Sequence, residues 1–98
     1  MLNYENSLDN EVSLSGIYIA LVVNRLDPKA LERIRVRVIG VHDMTNTDPE
    51  NSVWAEHIRP SKQRSGEIPD VGDYVYVMFL QNNPNTILWL GWVNYIKG

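Results

Sequence analysis

The chain has 98 residues, 44% of them hydrophobic and 21% charged, with a formal net charge of -3 and no cysteine. That is one domain's worth of sequence with a modest core, and it excludes disulfide staples and thiolate metal sites. An acidic balance also makes the chain a poor general binder of phosphate backbones.

No apolar run approaches the length that spans a bilayer, and the N-terminus lacks the basic-then-apolar pattern of a signal peptide. Residues 1–15 are polar and mixed, with Asn3, Glu5, Asp9 and Glu11 among them. They read as a flexible arm, or as a strand that orders only against a partner. The folded unit is expected over residues 16–98.

From Gly16 the character changes. Ile17-Tyr18-Ile19-Ala20-Leu21-Val22-Val23 is rich in β-branched residues and reads as a strand. Asp27 and Pro28 then suit the cap and first position of a single helical turn. Arg33 to Val41 follows, with arginine alternating with Ile or Val at Arg33, Arg35 and Arg37. Period two marks a strand with one wet face. Gly40 suits a bend near its end. His42 to Ser52 reads as a loop.

Val53 to Arg59 is a third strand, stopped by Pro60, and Ser61 to Asp70 is again loop-like. Tyr74 to Leu80 is the fourth strand, residues 81–85 a turn, and Ile87 to Val93 the fifth strand. Five short strands and one helical turn predict an all-β fold: a five-stranded OB-fold Greek-key barrel. An SH3-like barrel or a small sandwich is the rival. Inward Ile34, Val36, Val38, Val75 and Val77 are expected to fill it.

The order of several fragments resembles a known family. Asp27-Pro28, then Arg33-Ile34-Arg35-Val36-Arg37-Val38-Ile39-Gly40-Val41-His42, is similar to the signature of the OB domain in central-spike proteins of contractile phage tails. Related barrels occur in the VgrG spikes of type VI secretion and in tail lysozymes. Trp54-Ala55 with Ile58-Arg59-Pro60, the run Pro69 to Phe79, and Leu90-Gly91 match later segments of the same pattern.

Glu32 departs from it, standing where the family often has Gly. The resemblance implies a homotrimer seated on a hub and supporting a spike, located in the virion tail baseplate and assembled in the host cytoplasm. Family spikes often continue into a lysozyme domain or a β-helix. Neither lies in these 98 residues, so a stand-alone barrel, an adaptor or part of a longer product is expected.

The arginine stripe has three readings: a face pairing with carboxylates of a neighbour, an ordinary solvated strand face, or a single-stranded nucleic-acid surface. The last needs aromatic platforms, which Tyr74 and Tyr76 could supply beside the arginines. His42 and His57, next to Asp43 and Glu56, lack metal-ligand spacing, and the resemblance implies a structural hydrogen bond for His42.

Trp54, Trp89 and Trp92 read first as core or interface packing. Trp89 and Trp92 are three apart, so on a regular strand they face opposite sides, leaving one as an interface anchor. There is no nucleophile elbow and no phosphate-binding glycine loop. The reading is a non-enzymatic baseplate module without cofactor or metal. Its contacts are expected at Arg33, Arg35, Arg37, His42, Asp43 and Trp92. The alternative is a single-stranded nucleic-acid-binding OB module.

Overall fold

A computed structural model describes residues 14–58 and 67–94. Five strands form: β1 (Tyr18–Asn24), β2 (Ile34–Val38), β3 (Val53–His57), β4 (Tyr74–Phe79) and β5 (Ile87–Trp92). Each falls on one of the five expected runs. β2 stops early because Gly40 takes φ +90°, a region open to glycine, and the chain turns there.

The strands close into a barrel in the order β1-β2-β3-β5-β4. Every pair is antiparallel except β3 with β5, which is parallel. This is the five-stranded OB arrangement expected from the sequence. Of the arm drawn at 1–15, only Leu14 and Ser15 are among the described residues, and Leu14 is buried with the core.

The inward set follows the period of two. Ile34, Val36, Val38, Val75 and Val77 are fully buried, joined by Ala20, Val22, Ala55, Ile87 and Trp89. Outward positions divide into two kinds. On β2 they are Arg35 and Arg37. On β1 and β4 they are Ile19, Leu21, Tyr74, Tyr76 and Met78, which explains why those strands are continuous apolar runs.

β5 contains a bulge. Val77 faces Trp89 and Tyr76 faces Gly91, so Leu90 is an extra residue. The extra residue corrects the expectation for the two tryptophans. It resets the alternation, places Trp92 opposite Val75, and so puts both indoles on the same side. Their rings meet edge to face at 5.6 Å.

The helical turn expected after Asp27 does not form. Asp27 caps the turn as anticipated, accepting the N–H groups of Lys29 at 2.9 Å and Leu31 at 3.0 Å. However, Ala30 and Glu32 take φ +55° and +62°, and the chain reverses instead of winding on. Glu32 thus occupies the backbone conformation that favours the Gly of the resembling family. The one helical element among the described residues is a 3-10 turn at Leu80–Asn82.

Strand direction assigns the connections to two ends. The 25–33 turn, Ile58 and residues 67–73 lie at one, here the Asp27 end. The 39–52 loop and the 80–86 turn lie at the other, the His42 end.

Candidate functional site

The arginines of β2 and its approach all reach for acceptors within the chain. Arg33 grips Asp27 with two donors, Nε at 2.9 Å and Nη2 at 2.8 Å. The pair is enclosed: the side chains are 17% and 2% exposed for Arg33 and Asp27. Asp27 also accepts the Arg33 N–H at 3.2 Å. With five donors on one carboxylate, the Arg33 guanidinium first and the backbone N–H groups after it hold the Asp27 carboxyl far below the usual carboxylate range, against the opposing effect of burial. The same contact raises Arg33.

Arg35 and Arg37 work on the other side of the strand's length. Arg35 donates from Nε to Ser52 Oγ at 2.6 Å and from Nη2 to the Pro49 carbonyl at 2.7 Å. Arg37, only 7% exposed, donates to the Asn51 carbonyl at 3.4 Å. Between the arginines stands Trp54, on the neighbouring strand opposite Arg35. The Arg33 and Arg35 guanidinium carbons lie 5.2 Å and 5.6 Å from its ring centre, within cation–π range. The stripe is therefore a set of clamps on the 25–33 turn and the 39–52 loop.

His42 and Asp43 organise that loop. The Val38 N–H donates to His42 Nδ1 at 2.8 Å while the His42 N–H returns to the Val38 carbonyl at 2.8 Å. Nδ1 is thus an acceptor and the neutral ring carries its proton on Nε2. Burial lowers the His42 pKa, and the Arg37 charge lowers it further. This is the structural hydrogen bond the resemblance implied. Asp43 accepts from the Thr45 hydroxyl at 2.7 Å and the Thr45 N–H at 3.0 Å, and these bonds lower its pKa. Asn51 closes the loop with its side-chain amide on the Asp43 carbonyl at 2.6 Å and the Asn46 carbonyl at 2.9 Å.

The two histidines are not brought together. His57 lies at the opposite end, stacked 3.8 Å from the buried Trp89 ring at an angle of 10°. Among the described residues no three His, Asp or Glu side chains converge as metal ligands. Tyr74 and Tyr76 lie on β4, beside β1 and not beside the arginine strand, so they supply no platform next to the stripe. Trp92 is 37% exposed and its indole N–H reaches Asp73 Oδ2 at 3.3 Å.

Two features escaped the sequence reading. Asp27 was legible as a cap but not as the partner of Arg33, because a cap and a salt bridge six residues apart leave no periodic mark. Trp54 read as core or interface packing, although its place opposite Arg35 follows from strand pairing.

A family model for the type VI secretion system and phage-baseplate injector OB domain matches residues 18–93. The chain belongs to that family. The match spans all five strands and both sets of arginine clamps. A structural role in a baseplate follows for this OB domain, with other baseplate or spike proteins as its partners. No curated protein matches the chain.

Proposed function

We propose that this baseplate OB domain is the central spike or hub module of a contractile tail or related injection machine, a non-enzymatic adaptor that works as a homotrimer in the virion baseplate. The observation that carries the reading is the family match across residues 18–93, the whole of the closed barrel. The physical support is stiffness. Both ends of the barrel are tied to β2 by buried or half-buried arginines, so the module can transmit position between neighbours with little internal give. Asp43 and, at the barrel's end, Trp92 are exposed, while Arg33, Arg35, Arg37 and His42 fix the loops that neighbours would meet.

Light scattering across a concentration series tests the self-association. A mass three times the 11.3 kDa chain is expected. Co-expression with the hub and spike proteins of the same tail tests the assembly. A chain that stays monomeric and also fails to enter that complex sinks the proposal. Oligonucleotide binding with a steep salt dependence would replace it with the nucleic-acid reading.

A further inference from the structure

Eight large apolar side chains stand exposed among the described residues, and five of them belong to the Asp27 end: Leu26, Leu31, Ile58, Val71 and Trp92. Leu26 is 80% exposed and Val71 59%. The opposite end carries the other three, Ile17, Ile39 and Leu80, among loops made mainly of Asp, Asn and Thr on residues 43–51 and Gln and Asn on 81–85. Apolar groups gathered on the loops of one end are the mark of a surface that another molecule covers.

The surface is also built to hold its shape. The Asp70 N–H donates to Asp73 Oδ2 at 2.9 Å, and the Asp73 N–H returns to the Asp70 carbonyl at 3.0 Å. The turn is fastened to β1 by the Gly72 N–H on the Val22 carbonyl and the Val22 N–H on the Asp73 carbonyl, both at 2.9 Å. Trp92 is held by Asp73.

Charge selects the occupant. A cleft of 430 Å³ opens among Arg25, Glu67, Ile68, Asp70, Asp73 and Trp92. Among the described residues, three carboxylates face one guanidinium there, and Arg25 meets Asp70 only at 3.6 Å. The carboxylates alone would be an ordinary solvated cluster. Set beside the exposed indole and Ile68 of the cleft, with exposed Leu26 and Val71 next along the chain to Arg25 and Asp70, they favour a cation carried on an apolar surface. Arg33 and Arg37 are only 17% and 7% exposed and bond within the chain, which favours a separate partner over β2 of a second copy as the source of the cation.

We propose that the Asp27 end is the docking face of the barrel, and that its occupant is a partner protein presenting a lysine or arginine within an apolar patch. The inference rests on the reading of this chain as an assembly module and names the face and chemistry that reading leaves open.

The test uses the full chain, ¹⁵N-labelled, titrated with Ac-Leu-Arg-Leu-NH₂ and with Ac-Leu-Glu-Leu-NH₂. The Arg peptide should saturably shift the Trp92 indole N–H and the Val71 and Asp73 amides. Its affinity should exceed that of the Glu peptide by about tenfold or more, a difference of about 1.4 kcal/mol. Glu67→Gln with Asp70→Asn should remove the preference. Leu26→Ser with Val71→Ser should weaken both peptides, and these exposed sites leave the fold intact. Equal response to both peptides, or no response, overturns the proposal. So does a shift of the same signals with protein concentration alone, which would assign the face to a second copy. A failure here leaves the co-expression result standing, whereas failed co-assembly with a positive peptide result removes the baseplate partner and keeps the surface.

Discussion

At the Asp27 end the barrel is fastened by an ion pair; at the His42 end it is fastened by neutral acceptors. The fasteners come from one alternating run, Arg33-Ile34-Arg35-Val36-Arg37. Arg33 meets a carboxylate that backbone N–H groups already surround. Arg35 and Arg37 meet a hydroxyl and carbonyls of Pro49, Asn51 and Ser52. One residue type thus builds two kinds of lock. They should differ in how they respond to acid and to loss of a partner, since a charged pair left half-buried without its mate is penalised more than a neutral bond is missed.

The largest effect should come from replacing Arg33, Arg35 and Arg37 together with Glu. That change sets a carboxylate against enclosed Asp27 and turns donors away from three carbonyls. The cooperative thermal transition should be lost, measured by circular dichroism. A variant that melts like the parent would show that the arginines are surface decoration, and that the ends are held by other means. This outcome matters for interface mapping, because failed assembly by such a variant would report misfolding and not a lost contact.

Acid should separate the two ends. His42 has a lowered folded pKa, so the unfolded chain takes the proton first. Stability then falls as pH drops through the ordinary imidazole range, about 6.5, and the loss is complete once the folded value is passed. Asp27 has a lowered folded pKa too, and its contribution is whole above the ordinary carboxylate range, about 4, and drains below it. Urea midpoints across pH should therefore decline in two stages. His42→Asn should flatten the first, and Asp27→Asn should flatten part of the second, with Asp43 adding to that stage. A single acid limb unaffected by His42→Asn would break the distinction.

Ser52→Ala sharpens the neutral lock. It removes the acceptor of Arg35 Nε and the donor to the Pro49 carbonyl. A destabilisation of about 1–2 kcal/mol is expected from denaturant unfolding, with no change in the carboxylate stage of the pH profile. The smallest effect lies at the Asp27 end. Ala30 holds φ +55°, and Ala30→Gly should stabilise by about 0.5 kcal/mol, the relief of the left-handed backbone exceeding the added freedom of the unfolded chain. A loss of stability would mean the Ala30 methyl group contributes more than its strain costs.

Much of this was legible along the chain, and the reasons are local. Ile34, Val36 and Val38 alternate with arginine because β2 has one apolar side. The continuous run Tyr74 to Phe79 is apolar on both. Gly40 marks the end of β2 by its backbone freedom. The candidate residues were harder. Arg33, Arg35 and Arg37 were visible as a stripe, but their acceptors on residues 27 and 49–52 are joined to them only by the folding of two loops. Trp92 was legible as one of a spaced pair and was misplaced by the bulge at Leu90, whose mark in the sequence is only the neighbouring Gly91.

By itself the sequence determined the strands and the inward side chains, because periodicity and turn chemistry act over a few residues and survive without a partner; the family was legible only as a resemblance carried by the order of several motifs. The tertiary structure alone decided which loop each arginine holds, which way Trp92 faces and that five of the eight exposed large apolar side chains lie at one end. Those depend on strand register and closure of the barrel, which join residues such as Asp73 and Trp92 that no local pattern connects.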